Sequence, residues 1–274
     1  MTDQPYVIKQ PEIRTMLVPD EGYVLIEADL ARADAQVVAW DSNCPGLKDV
    51  FRKDLDLHTI NARWLYDRDD VHSMHINHES FRQNAKRAVH LTHYAGQKGT
   101  LSGSLAINPE KAERFIRWYA WETFPEVHQW HERIEYELRS RRYPIIYNAF
   151  GFRKMFTDRF NNHTVAQALA WIGQGTVAIV INHCLIQLDA VVGGATNWGA
   201  RILGTFKGDP LLQVHDSVLL EAPRDTFPDI CEPILEAMKV TIPYEDPLVI
   251  GSEIKYSFNN WGEMKKWSPQ HTIT

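Results

Sequence analysis

Tyr23-Val24-Leu25-Ile26-Glu27-Ala28-Asp29 is an apolar run that closes on a carboxylate. Its Val, Leu and Ile content and weak alternation predict a strand ending at Asp29. A second run, Leu211-Leu212-Gln213-Val214-His215-Asp216, also delivers an aspartate at its end. Between the two lies a stretch from Arg82 to Tyr94 with a polar or aromatic residue at every fourth position. On a helix that spacing puts Arg82, Lys86, His90 and Tyr94 along one face. Two strand-end carboxylates can hold a pair of divalent metals, and a cationic helix face can hold a triphosphate. Nucleotidyl transfer needs those parts.

At 274 residues the chain can bury a substantial core, as one large domain or two smaller ones. Hydrophobic residues at 44% and charged residues at 23% fit an ordinary soluble globular protein. No run approaches the roughly 18 apolar residues that span a bilayer, so no membrane partner is expected. The start, Met-Thr-Asp-Gln-Pro, lacks the basic and apolar stretches of a secretory signal. Cys44, Cys184 and Cys231 form no CxxC pair, which fits reduced thiols and a cytoplasmic location. The formal net charge of −6 argues against a tight, autonomous DNA binder. Lys and Arg nonetheless cluster in 82–87 and 139–159, leaving room for a local basic groove.

Along the chain, a buried helix is expected over 31–40, broken by Asn43-Cys-Pro-Gly46, and another over Leu57–Leu65. The His-rich stretch 67–78 contains His72, His75 and His78, but no Cys or placed fourth ligand joins them, and it reads as a polar loop. Gly96, Gly99 and Gly103 predict a loop after Tyr94. Asn108-Pro109 is a helix start, with a second helical stretch from Pro125 to about Arg141. Residues 143–156 predict a hairpin turning near Phe150-Gly151, and His163–Leu188 a long apolar helix. Strands are expected at 198–206, 211–215, 217–221 and 248–256, with an amphipathic helix over 228–240. The order is that of an α+β protein, strands carrying the aspartates and a helical insertion from about 57 to 142.

Seven segments, taken in order, resemble family A DNA polymerases, the group of bacterial DNA polymerase I and related phage enzymes. Ile13-Arg14 through Pro19 and Val24–Asp29 are similar to the approach to the first catalytic aspartate. Asp56-Leu57-His58-Thr59 resembles the D-I-H-x segment, and Arg82-x3-Lys86-x7-Tyr94 the nucleotide-binding helix. Phe150-Gly151-Phe152-Arg153-Lys154 resembles the F-G-R-R-R hairpin and Gln174-Gly175-Thr176 the Q-G-T helix. Gln213-Val214-His215-Asp216 matches the second aspartate motif, and Asn259-Asn260-Trp261, after Pro247-Leu248-Val249, the carboxy-terminal N-N-W.

The resemblance implies an antiparallel palm sheet carrying two catalytic aspartates, with palm residues 1–56 and 143–274 and a helical fingers insertion over 57–142. It implies DNA-templated DNA synthesis, in which the primer 3′-hydroxyl attacks an incoming dNTP and pyrophosphate leaves. Asp29, Asp216 and the Leu30 carbonyl would hold two Mg²⁺ ions, with Mn²⁺ as an alternative. Arg82, Lys86 and His58 would face the triphosphate, Tyr94 the templating base, and Asp34 and His90 the sugar. His215, Arg153 and Gln174 would touch primer or template. The expected partners are primed DNA and dNTPs. A separate chain carrying thumb and exonuclease is a further candidate, since neither precedes Ile13, and a phage origin would place the protein in the host cytoplasm.

The chain also departs from that pattern. Asp34 stands where the family has Glu, shorter by one methylene, and His90 where it has Phe or Tyr. Ala95 replaces the Gly after Tyr94, Ser217 the Glu after the second aspartate, and Ala170 an Asn. Two other readings stay open on the residues alone. One is an inactive palm scaffold or DNA-binding accessory of a split polymerase. The other is a single-subunit RNA polymerase relative, whose second motif often reads H-D-S, as His215-Asp216-Ser217 does.

Overall fold

A computed structural model of the chain describes residues 13–73, 75–76, 79–192, 201–202 and 213–269. The elements, in chain order, begin with β1 (Tyr23–Leu30), α1 (Ala33–Asp41), α2 (Pro45–Arg52) and α3 (Leu57–Tyr66). A short hairpin, β2 (His75–Ile76) and β3 (Glu79–Ser80), leads into α4 (Phe81–His93), α5 (Lys98–Leu105) and α6 (Pro109–Arg117). A π-helical stretch, Trp118–Thr123, joins α6 to α7 (Pro125–Ser140). The hairpin β4 (Ile145–Tyr147) and β5 (Arg153–Met155) precedes the long α8 (Asn162–Val192). Then come β6 (Arg201–Ile202), β7 (Gln213–Val214), β8 (Ser217–Pro223), α9 (Phe227–Ala237), β9 (Thr241–Ile242), β10 (Leu248–Val249), β11 (Ser252–Ser257) and β12 (Lys265–Lys266). The fold is mixed helix and antiparallel sheet, the α+β class expected.

Packing divides the chain into two compact units. The sheet unit takes 1–31, 180–240 and 249–274, and the helical unit 32–179 and 241–248. The helical unit begins at 32, ahead of the functional boundary expected at 57, because Val38 of α1 packs with Tyr94, Trp130, Ile134 and Ile172 in one buried cluster.

The sheet unit is built on the antiparallel order β12-β11-β1-β8-β6, with β7 paired to β8. Alternation along β1 sends Val24, Ile26 and Ala28 to one face, each fully buried, with Val218, Leu220 and Ile254 beside them. Helix α9 covers that face, its Phe227 ring 4.8 Å from Tyr256. Glu27 and Asp29 point to the opposite face, with Ser217, Glu253 and Lys255 on the flanking strands. Burying each Val or Ile contributes about 1.5–3 kcal/mol. A slip of one residue would turn Asp29 into the face covered by α9 and put Ile26 in place of Glu27 beside the Trp261 indole, so the register that aims Asp29 away from the α9 face is strongly held.

Several local expectations need correction. Residues 98–105 form helix α5 and not the loop that the glycines suggested. Leu101 and Leu105 are both fully buried there, and that burial outweighs a helical-glycine cost of about 1 kcal/mol each. The break at 43–46 is only a turn, since Pro45 sits in the first turn of α2 with Leu47 and Phe51 buried behind it. The strand expected over 248–256 is two, β10 and β11, parted at Ile250-Gly251. Most of the strand expected at 198–206, and Leu211-Leu212, lie outside the described residues, as does His78. The Asn108 cap is as expected, its side chain accepting the Glu110 N–H at 2.7 Å.

Helix α8 also corrects the hydropathy reading. Asn162–Val191 is long and apolar enough to cross a bilayer by length and composition, an 18-residue window within it having mean hydropathy 1.5. The helix carries no Asp, Glu, Lys or Arg before Asp189, although His, Gln and Asn interrupt any pure apolar run. Half of that window is buried inside the fold, the pattern of a core helix.

Candidate active site

Asp29 lies near the end of β1 and pairs across the sheet with Ser217, the residue after Asp216. Val214 and Ser217 pair, so His215 and Asp216 form the tip of the two-residue β7–β8 hairpin. His215 adopts a left-handed conformation, φ 56°, and is exposed. The turn is held by Ser217 Oγ donating to the Val214 carbonyl at 3.0 Å and Gln213 Nε2 donating to the His215 carbonyl at 3.2 Å. The Leu30 N–H donates to the Asp216 carbonyl at 3.0 Å. The sheet thus brings Asp29, Leu30, His215 and Asp216 to one strand end. Burial pushes the Asp29 carboxyl above its ordinary range, and the Asp216 charge adds to it, while Lys255 opposes both.

That environment fits a divalent cation. A positive ion beside Asp29 would offset the burial and the neighbouring Asp216 charge that disfavour its charged form. Among the described residues no three His, Cys, Asp or Glu side chains form a cage by themselves. A two-carboxylate site suits a hard divalent ion that keeps other oxygen ligands of its own.

The helical unit gathers a second set. Ser80 caps α4 through the Gln83 N–H at 3.1 Å, and the helix presents Arg82, Lys86 and His90 at successive turns before ending at Tyr94. The Tyr94 hydroxyl donates to Asp34 Oδ1, and His90 Nδ1 lies 2.9 Å from Asp34 Oδ2. The two rings meet edge to face at 4.9 Å. Burial works to raise the Asp34 carboxyl, but the hydrogen bonds from His90 and Tyr94 prevail and hold it below its ordinary range. Gly173 of α8 makes room for this arrangement, since a Cβ there would stand 2.3 Å from the Tyr94 hydroxyl.

Arg82 forms a two-pronged pair with Asp56, at 2.7 and 3.1 Å. Asp56 also caps α3, accepting the His58 and Thr59 N–H groups. His58 follows, 7% exposed, with Nδ1 buried and unpartnered. Burial, then the charges of Arg82 and Lys86, lower its pKa to about 4. Lys86 is exposed, as are Arg153 at the start of β5 and Gln174 on α8. His72 bonds to Thr59 Oγ1 at 3.1 Å.

Three residues absent from the predicted set matter here. The sequence could have flagged Asp56, because an Asp before Leu-His-Thr is a helix-cap signal. Nothing local marks Gly173 or Lys255, whose roles depend on distant partners. A cleft of about 820 Å³ in the helical unit, lined by Lys98, Trp121 and His128 among others, holds none of the predicted residues.

The sequence model of DNA polymerase family A matches residues 7–263, nearly the whole chain. The chain belongs to DNA polymerase family A. This family A chain is 30% identical over 244 residues to DNA polymerase I, thermostable, of Thermus filiformis, covering 87% of this chain and 27% of the relative. It is 26% identical over 248 residues to DNA polymerase I of Bacillus caldotenax, covering 87% and 26%. The family A chain thus spans about a quarter of the length of the curated relatives it matches. Its fold is similar to the POL domain of Pol1 from M. smegmatis in complex with DNA primer-template and dNTP. That match has a TM-score of 0.74 and 23% identity, and covers 91% of this chain and 42% of the other.

Proposed function

We propose that this chain is the nucleotidyl-transferring core of a DNA-templated DNA polymerase. The observation that carries the reading is the meeting of Asp29 and Asp216 at one end of an antiparallel sheet, in a chain whose length is matched by family A. Asp29, Asp216 and the Leu30 carbonyl would hold two Mg²⁺ ions, Mn²⁺ being the alternative. Bound there, the metal would activate the primer hydroxyl and neutralise charge on the phosphates. The substrates are primed DNA and dNTPs, in keeping with the complex captured for the structural neighbour.

The chain's own residues bind and orient. Lys86 and Arg82 are charge-assisted donors for a triphosphate, Arg82 by exchanging Asp56 for phosphate. His58 stays neutral near pH 7 and offers a hydrogen bond without added charge. Asp34, tied to Tyr94 and His90, forms a fixed wall for the sugar. Exposed His215, Arg153 and Gln174 are the contacts to primer and template.

Primer extension on a short primed template with Mg²⁺ tests this reading. Extension by the unaltered chain and a loss on the order of 10³-fold in Asp216→Ala is the expected result. Equal activity in the variant would remove Asp216 from the reaction.

A further inference from the structure

The sheet face that carries Asp29 also carries a cation. Strand β11 runs antiparallel to β1, with Lys255 opposite Glu27 and Glu253 opposite Asp29. The Lys255 side chain leans along the strand, placing Nζ 3.3 Å from Asp29 Oδ2 and 3.6 Å from Glu27 Oε2. Glu27 is fixed, its side chain only 6% exposed and its Oε1 accepting the Trp261 indole N–H at 3.1 Å. Glu253 pairs elsewhere, with Lys266 at 2.8 Å.

Lys255 therefore bridges one buried carboxylate that cannot move and one partly exposed carboxylate at the reaction site. An ammonium is a compact charge with three donors on a flexible four-carbon stem. It can balance both carboxylates, yet it occupies the Asp29 oxygen that a divalent ion needs. The stem allows Nζ to leave Asp29 while keeping Glu27, so release does not strand a bare charge. We propose that Lys255 is the resident counter-cation of the metal-free site, orienting Asp29 and ceding Oδ2 to a divalent ion by shifting onto Glu27. The inference rests on reading Asp29 as a metal ligand, and it makes Lys255 a positioning residue that sets metal occupancy.

The test uses the full chain, without DNA, and Mn²⁺ as the probe, with free Mn²⁺ followed by electron paramagnetic resonance at pH 8. Lys255→Met should bind Mn²⁺ at least fivefold more tightly than the unaltered chain, and Asp29→Ala should lose that binding. A second readout needs no variant. Acetylation of Lys255, followed by mass spectrometry, should quicken severalfold when Mn²⁺ is added, while exposed Lys239 keeps its rate. Asp29-dependent Mn²⁺ binding that Lys255→Met leaves equal or weaker would overturn the inference and spare the metal site. Binding indifferent to Asp29→Ala, or absent from both chains, would overturn the metal site and this inference with it. If Lys255→Met does not fold, an unchanged acetylation rate in the unaltered chain decides against the proposal.

Discussion

The Leu30 N–H donates to the Asp216 carbonyl at 3.0 Å, closing the gap between the end of β1 and the tip of the β7–β8 hairpin. That bond ties the residue after Asp29 to the backbone of Asp216. The carboxylates are therefore positioned by the sheet ladder and not by long flexible side chains. Such backbone support suits a site whose ligands must keep their place while substrates come and go.

Sugar selection should be looser than a Glu at position 34 would give. On the proposed reading Asp34 faces the sugar; it is one methylene shorter than Glu and is held by Tyr94 and His90, which would leave space there. Asp34→Glu should reject ribonucleotides at least tenfold better than the unaltered chain, measured as the ratio of ribo- to deoxynucleotide incorporation. Strict rejection by the unaltered chain would refute this.

Asp56 does two jobs that substitutions can separate. Asp56→Asn keeps an acceptor for the Thr59 N–H but loses the charge that holds Arg82. Asp56→Ala loses both, and should cost about 1 kcal/mol more than Asp56→Asn in denaturant unfolding. Both variants free Arg82, so dNTP KM should change similarly in the two.

Residues around the α4–α5 connection should respond in opposite directions. Ala95 is left-handed, φ 54°, where glycine is unstrained, so Ala95→Gly should stabilise by about 0.5–1 kcal/mol. Gly99 and Gly103 lie inside α5 with open space where a Cβ would stand, so changing either to Ala should also stabilise by about 0.5–1 kcal/mol. Gly96→Ala should destabilise by about 1–3 kcal/mol, because its Cβ would sit 2.6 Å from the Leu91 carbonyl oxygen. Thermal melts of the four variants check the pattern.

Stability should fall in mild acid. Burial lowers the pKa of His58 and His131 to about 4 and that of His93 to about 3, against an ordinary value of 6.5. Between those values the unfolded chain binds more protons than the folded one, so stability present above pH 6.5 is lost as pH drops toward 4. The loss should be on the order of 1–2 kcal/mol per histidine by pH 5. Asp41, its carboxyl raised by burial, works in the other direction. His131→Gln, which keeps a donor for the His93 carbonyl, should show a smaller difference between denaturant midpoints at pH 7.5 and 5.

The sequence by itself determined the strand that carries Asp29 near its end, the helix that lines up Arg82, Lys86, His90 and Tyr94, and the 143–156 hairpin. These are local outcomes, since side-chain period, caps and turn residues act within a few positions of one another. Local signals misjudged α5, where two buried leucines that meet their partners only in the folded chain override the glycines. The further partners of those site residues were decided by tertiary structure alone. Lys255 reaches Asp29 only because β11 pairs with β1 in one register, and Gly173 matters only because α8 passes the Tyr94–Asp34 bond. No pattern within a single segment encodes such meetings, because the distance that sets their energy is fixed only when the chain has packed.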